Sequence, residues 1–393
     1  MNRPILFLER RRRAAGGGTW MEASRSKILE TPPGPGRAGT KRRRARAARL
    51  RWDRVRFALK LGIARTSGWR LAVQLGFSLV SVVLGIQFGR YVEAARTTTS
   101  GPLPVRPPGV EGYLPISGLM GALDWIYQGT LNTIHPAATI LFLVFVGLSL
   151  ALRKSFCGWI CPVGFLSEWL GRLGVGLFGR NFRIWKWADV ALRSLKYLLL
   201  AFFVWAIFSM TPAALNAFIQ SPYNKVTDVK MLLFFVEIGS VGLIVIGILM
   251  LLSVLVQGFW CRYLCPYGAL MGLFSWMSPV QVHRNADACT DCGICDRVCP
   301  ARLPVSRKRS IGSVECIGCT DCVSSCPVPK ALHFGTPRRK LAPGRIALAV
   351  AVLFVAATLL ARVTGHWESA ITDPEMRYHI THLDSPAYGH PGR

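Results

Sequence analysis

Two runs of cysteines in the C-terminal third of the chain have the spacing of iron–sulfur ligands. Each run reads C-x-x-C-x-x-C-x-x-x-C-P, and three thiolates spaced in this way can surround one face of a cubane. Structural zinc sites instead use two cysteine pairs with a longer gap between them, so the pattern indicates [4Fe–4S] clusters rather than zinc. The runs comprise Cys289, Cys292, Cys295 and Cys299, then Cys316, Cys319, Cys322 and Cys326.

The fourth cysteine of each run precedes a proline and is expected to bind the cluster of the other run. The sequence therefore predicts two [4Fe–4S] clusters as cofactors, with the eight cysteines as their metal ligands. Because the ligands are exchanged, loss of one cysteine should destabilise both halves. The predicted ligands are Cys289, Cys292, Cys295 and Cys326 for one cluster, and Cys316, Cys319, Cys322 and Cys299 for the other.

A second cysteine motif, C-x-x-x-C-P, occurs twice, at Cys157 and Cys161 and at Cys261 and Cys265. Residues four apart share one face of a helix, and the following proline ends or bends that helix. Each motif follows an apolar segment and precedes an amphipathic stretch, which indicates an internal repeat. Four thiols could converge on one site, as a metal site, a redox dithiol pair or a docking point for the cluster region. The alternative is that these cysteines only pack helix ends.

The composition is that of a membrane protein. Of 393 residues, 51% are hydrophobic and only 17% are charged, and the mean hydropathy is +0.34. A bilayer crossing needs about 20 apolar residues. We predict five spans, the fourth being long and tilted: Leu71–Phe88, Pro136–Leu152, Tyr197–Met210, Met231–Gln257 and Arg345–Ala361.

The net charge is +28, and its distribution along the chain is typical of a signal that orients a protein in the membrane. The first 70 residues hold 20 Lys and Arg against four acids, and the intervening segments are alternately rich and poor in Lys and Arg. By the positive-inside rule, the N-terminus and the cysteine runs lie in the cytoplasm and the C-terminus lies in the periplasm. Cytoplasmic thiols stay reduced, which favours metal ligation over disulfides. The bilayer, not nucleic acid, is the expected partner of the basic arm.

The chain divides into five predicted segments. No cleavable signal peptide is expected, and translation from Met21 is an alternative to Met1. The segments are a basic, disordered cytoplasmic arm (1–70), a four-helix membrane domain with both C-x-x-x-C-P motifs (71–284), a two-cluster domain (285–335), a fifth transmembrane helix (336–364) and a short periplasmic tail (365–393).

Other cofactor signals are weak. No facing histidine pair occurs on the predicted spans and no haem-attachment or dinucleotide motif is present, so we expect no haem. Glu237 lies inside the fourth predicted span, where a carboxylate could accept a quinol proton or reach water. Met376, His379 and His382 could bind a metal such as copper, but an unstructured polar tail is the preferred interpretation.

The two C-x-x-x-C-P motifs, read as Cys157-Gly-Trp-Ile-Cys161-Pro and Cys261-Arg-Tyr-Leu-Cys265-Pro, followed by the tandem cysteine runs, resemble the NapH/NosR-type membrane polyferredoxins and the related CcoG and MauN proteins. The resemblance covers about residues 70–335. It implies an α-helical integral membrane protein with a small α+β, bacterial two-cluster ferredoxin-like module on the cytoplasmic side. NosR-type proteins have an N-terminal flavin-binding domain, which this arm does not resemble, so no flavin is expected.

The resemblance implies electron transfer in the bacterial inner membrane, between the quinone pool or a cytoplasmic donor and a membrane or periplasmic oxidoreductase complex. The protein is then an electron-transfer subunit or accessory protein, with no catalytic residues of its own. Two alternatives stay open: an assembly factor that reduces a metal ion such as Cu(II), and an iron–sulfur sensor. A sensor would need an output module, and none is visible beyond the basic arm.

Overall fold

The computed structural model describes residues 67–98 and 101–389. Predictions about the basic arm up to residue 66, and about its start site, lie outside these residues. The helices are α1 (Gly68–Thr97), α2 (Pro115–Gln128), α3 (Pro136–Leu152), α4 (Pro162–Phe178), α5 (Lys186–Phe208), α6 (Pro212–Gln220), α7 (Pro222–Lys225), α8 (Thr227–Val236), α9 (Ser240–Leu255), α10 (Pro266–Trp276), α11 (Ile294–Val298), α12 (Asp321–Ser324), α13 (Pro343–Val363) and α14 (Asp373–Thr381).

Three helices among the described residues, α1, α5 and α13, are long and apolar enough to cross a bilayer. They have 30, 23 and 21 residues. The helix pair α8 and α9 counts as a fourth crossing if its two parts form one span, and α3 is apolar but has only 17 residues. The chain is therefore a mostly helical membrane protein.

The prediction of one tilted helix for the fourth span is wrong. The segment breaks into α8 and α9, whose axes are bent by 81°. Helix α8 ends at Val236, and Glu237 is its C-cap residue rather than part of a continuous helix. The Glu237 carboxylate is about half exposed and pairs with Arg96 at 2.7 Å.

Helix α3 lies at the centre of the fold. It contacts α2, α10 and α13, and most of its residues are buried. A helix that is apolar on every side can be enclosed by other helices without burying unpaired polar groups, which allows this position. One hydrophobic core extends from Leu141 and Phe145 of α3 to Val282 and Phe334 in the cysteine-rich region. The membrane part and the cysteine-rich part therefore share a single core.

The internal repeat forms two helix–turn–helix units. In the first, α3 leads through a π turn at Phe156–Ile160 to α4, and in the second, α9 leads through a π turn at Trp260–Leu264 to α10. Helix α4 packs directly against α9. A side chain at Gly174 of α4 would clash with the carbonyl oxygen of Val254, so glycine permits this close approach.

The cysteine-rich region is organised by a small antiparallel sheet with strand order β2-β1-β3. Its strands are β1 (Gln281–Arg284), β2 (Ser310–Ile311) and β3 (Leu332–Gly335). Val282 on the central strand pairs with Ile311 on one side and with Phe334 on the other. All three side chains are buried. The two cysteine runs lie in the long connections between these strands.

Residues 365–389 of the C-terminal tail are structured, so the preferred prediction of an unstructured tail is wrong for this part. Helix α14 packs against α1. Met376 and Ile380, one turn apart on α14, are buried together with Tyr91 of α1. The Nδ1 atom of His379 lies 2.7 Å from the Tyr388 hydroxyl. Apolar residues at i and i+4 give this short helix the buried stripe that holds it in place.

A buried charge network joins the loops near α14. His135 is fully buried, with Nδ1 3.2 Å from Glu111 and Nε2 2.8 Å from the carbonyl oxygen of Asn224. Both ring nitrogens face acceptors, which favours the imidazolium form. Arg106 pairs with Asp228 at 2.6 Å and with Glu111 at 3.2 Å. Burial lowers the pKa of His135, but the Glu111 carboxylate outweighs burial and raises it above the ordinary value.

The raised pKa of His135 predicts a pH-dependent stability. Protonated His135 contributes its full stability below about pH 6.5, the pKa of histidine in the unfolded chain. This contribution is lost as the pH rises through the higher pKa of the folded state. The thermal unfolding midpoint in detergent should therefore fall as the pH is raised above about 6.5. H135Q should remove this dependence, whereas H382Q, at an exposed histidine, should retain it. Parallel pH profiles for H135Q and the wild type would contradict the assignment.

Candidate functional site

The eight cysteines predicted as cluster ligands line two separate cavities in the structure. Each cavity is lined by three cysteines of one run and the last cysteine of the other. The first is lined by Cys289, Cys292, Cys295 and Cys326. The second is lined by Cys316, Cys319, Cys322 and Cys299.

Equivalent backbone turns bring the thiols together in both runs. Asp291 and Gly293, on either side of Cys292, have φ of 50° and 66°. Gly318 and Thr320, on either side of Cys319, have φ of 61° and 62°. Left-handed conformations reverse the chain direction within a few residues and are costly without glycine. Their recurrence at matching positions shows that the two loops share one backbone shape.

The donor set fits iron–sulfur clusters. In residues 67–98 and 101–389, no three His, Cys, Asp or Glu side chains lie close enough to hold a single metal ion. Thiols that line a cavity instead of meeting at a point suit a multinuclear group, which supplies one-electron chemistry when bound. Burial raises the pKa of Cys295 and of Cys299 to about 11. Metal binding at these thiols must therefore displace protons.

The second cavity lies directly against the first C-x-x-x-C-P turn. The indole N–H of Trp159 donates a hydrogen bond of 3.0 Å to the carbonyl oxygen of Gly318. A side chain at Gly158 would clash with the carbonyl oxygen of Ile317, so glycine allows the two backbones to touch. The membrane part and the second cysteine run are therefore in direct contact.

A buried ion-pair network fixes this contact, and its central residue, Arg70, was missed by the sequence analysis. Arg70 is fully buried near the start of α1. Its guanidinium pairs with Asp321, inside the second run, at 2.9 Å and with Glu168 of α4 at 2.6 Å. Its Nε donates to the carbonyl oxygen of Gly158 at 3.0 Å. Although burial raises it, the pKa of Glu168 is lowered overall by Arg70 and Arg172.

A second buried group surrounds Glu315, the residue before Cys316. The Glu315 carboxylate pairs with Lys196 at 2.5 Å and lies 3.7 Å from the Lys154 ammonium. Both lysines are buried. Arg153, also fully buried, donates to the carbonyl oxygens of Ser275 and Ser313. From the sequence, these three cations were interpreted only as charges that orient the chain in the membrane. Their acceptors lie far away in the chain, so the local sequence does not reveal them.

The four C-x-x-x-C-P cysteines converge. Cys157, Cys161, Cys261 and Cys265 all line one cavity of about 300 Å³, together with Lys154. The cavity also contacts α1, α3 and α13, so it extends from the cysteine-rich region into the membrane part. Burial raises the pKa of Cys157 to about 11 and that of Cys261 to about 12. In contrast, the structure does not bring Glu237, Met376 or His382 to this cavity.

Comparison with known proteins gives the same picture. A family model described as a 4Fe–4S binding domain matches residues 134–183 and again 238–284, the two units of the repeat. A 4Fe–4S dicluster domain model matches residues 281–327. The site and the fold therefore define an iron–sulfur electron-transfer protein of the membrane.

Curated relatives identify the family. YccM of Escherichia coli K12, whose name describes electron transport, is 41% identical over 82% of this chain and 92% of its own length. The ferredoxin-type protein NapH of E. coli K12 is 27% identical over 49% of this chain and 67% of its own. The methylamine utilization ferredoxin-type protein MauN of Methylorubrum extorquens is 30% identical over 48% and 61%. The chain belongs to the NapH/NosR-type family of 4Fe–4S membrane ferredoxins. No solved structure matches it.

The exchanged ligand arrangement predicts that one substitution affects both cavities. C326S removes a ligand from the first cavity and also perturbs the backbone after Cys322 in the second run, so the protein should lose more than the about four iron atoms of one cluster. Iron and labile sulfide, measured after anaerobic purification, test this. S324A, an exposed neighbour, should retain all iron. Full iron content in C326S would refute the exchange.

The Arg70 network predicts that the membrane helix stabilises the second run. R70M leaves Asp321 buried without its cation, which costs about 3–5 kcal/mol. Chelator-driven bleaching of the visible absorption should therefore accelerate strongly in R70M. R90M, at an exposed arginine of the same helix, should match the wild type. The double variant R70M/D321N should bleach more slowly than R70M. Bleaching of R70M at the wild-type rate would show that the Arg70–Asp321 pair does not stabilise the second run.

Proposed function

We propose that this protein relays electrons through two [4Fe–4S] clusters between quinol, or a cytoplasmic donor, and a membrane or periplasmic oxidoreductase complex. The eight cysteines around the two cavities are the proposed ligands. The observation that carries the proposal is the direct contact between the second cysteine run and the membrane part at Trp159 and Gly318. Because electron transfer needs close approach, this contact supports a route between the cysteine-rich module and the bilayer.

The proposed topology is five spans, with the cysteine-rich module on the cytoplasmic side of the inner membrane and the C-terminus in the periplasm. The alternation of Lys and Arg along the chain supports this orientation. The two ends of α1 separately support placing the cysteine-rich module and the C-terminal helix α14 on opposite sides of the bilayer. Arg70 contacts the module, whereas Tyr91 packs against α14. About 20 helical residues lie between them, and at about 1.5 Å per residue they span about 30 Å, the thickness of a bilayer core.

Quinol is the donor that the cavity with the C-x-x-x-C-P cysteines supports best. Phe77 and Val80 of α1 and Phe354 of α13 line its membrane side, and Val80 is about half exposed. An apolar ring with a tail could therefore enter between these helices. Tyr267 and Lys154 provide polar groups at the inner end. Apolar walls with a few polar groups are typical of small-molecule sites.

A metal-reducing assembly factor is the second candidate. The four thiols that line the cavity favour it, because soft thiolates bind copper well. The two functions differ in their reactant. In a relay, quinol reduces the clusters without any copper. In a metal reductase, Cu(II) reoxidises the reduced clusters.

Cluster reduction by menaquinol in anaerobic liposomes tests the proposal. V80W narrows the membrane side of the cavity and should slow quinol-driven bleaching about tenfold, equivalent to about 1.4 kcal/mol, while dithionite reduction stays normal. V82W, at an exposed residue of the same helix that does not line the cavity, should behave as the wild type.

The alternative outcomes are equally informative. No reduction by quinol, with full reduction by a cytoplasmic reductant, would exclude quinol as the donor. Equal quinol rates in V80W and V82W would move the quinol site away from this cavity. Rapid reoxidation of reduced clusters by Cu(II), lost in C157S, would favour the metal-reducing function.

A further inference from the structure

We propose that Cys157, Cys161, Cys261 and Cys265 bind a third iron–sulfur cluster, shared between the two units of the repeat. The 4Fe–4S binding model matches each unit separately, yet each unit contains only two cysteines. Iron–sulfur clusters are generally held by four thiolates. The remaining eight cysteines line the other two cavities. A complete ligand set in the membrane part therefore requires both units together.

The two units offer their thiols in matching geometry. In each, the first cysteine lies in the π turn and the second caps the following helix. The amide N–H of Gly164 donates to Cys161 Sγ at 3.4 Å, and the amide N–H of Gly268 donates to Cys265 Sγ at 3.2 Å. Amide hydrogen bonds to sulfur are a common support of cluster ligands.

The arrangement favours a cluster over one metal ion. Within the described parts of the chain, neither these four cysteines nor the two ferredoxin-type sets form a group tight enough for a single ion. All three sets instead line cavities. The four cysteines are also unpaired in the structure, without disulfides. A multinuclear group reconciles four convergent thiols with the space between them.

The charge at the cavity suits an anionic cluster. Four thiolates make a cluster site negative, and a buried anion needs a nearby cation. The Lys154 side chain is only 5% exposed and lines the cavity. Its nominal partner, Glu315, is 3.7 Å away and pairs more closely with Lys196 at 2.5 Å. Lys154 is therefore available to balance a further negative charge.

The position beside the second cavity gives the site a use in the proposed relay, although its existence does not depend on that function. Ala301 and Ile317 line the thiol cavity. They lie close in the chain to Cys299 and next to Cys316, which line the second cavity. A third centre would extend the chain of redox groups from the module into the membrane part.

Iron and labile sulfide in the full-length protein, purified anaerobically, test the proposal. The wild type should contain more than the about eight irons of two cubanes. C161S/C265S should lose about two to four irons and retain the signals of the other two clusters by EPR, which also shows that it folds. V163S, which adds a hydroxyl at the same cavity and keeps all thiols, should match the wild type.

Three results would overturn the proposal: equal iron in the wild type and C161S/C265S, four titratable thiols in native wild type, or stoichiometric copper in place of the additional iron. If C161S/C265S fails to fold, Mössbauer spectra of the wild type decide, because only two cubane species would refute a third centre. None of these readouts depends on quinol, so failure of this site and failure of the proposed donor are distinguishable.

Discussion

The fold depends on one buried cation. Arg70 is removed from water at the start of α1, and its charge is balanced by Glu168 and Asp321. These acids belong to separate parts of the chain, and one lies inside a cysteine run. Because an unpaired buried charge is strongly destabilising, the three elements are stable only together. The network therefore specifies how the cysteine-rich module sits on the membrane helices.

Buried cations recur wherever the cysteine sites meet the membrane part. Arg153 and Lys154 follow α3 directly, and Lys196 approaches the same region from α5. In an ordinary membrane protein such residues would mark the cytoplasmic boundary and face water. Here they are enclosed and face carbonyl oxygens, Glu315 or thiols. One set of charges can thus orient the chain during insertion and later balance the negative charge of sulfur ligands.

The repeat explains why the membrane part has a thiol-lined cavity at all. Each unit ends its first helix in a π turn and begins the next at a proline, so both place two cysteines at equivalent positions of the unit. Packing of α4 against α9 then brings the two pairs to one cavity. The cavity lies between the second cysteine run and the apolar helices, which is the place where a route between protein and bilayer would pass.

The sequence by itself determined the features that depend on local spacing. The two cysteine runs and the repeated C-x-x-x-C-P motif were readable, because thiol spacing sets which ligands can meet. Apolar length likewise located α1, α5 and α13. Tertiary structure decided what depends on distant partners: the 81° break before α9, the folded tail on α1, and the burial of Arg70. Arg70 and Asp321 are 251 residues apart in the chain, and no local pattern encodes a pair that only packing creates.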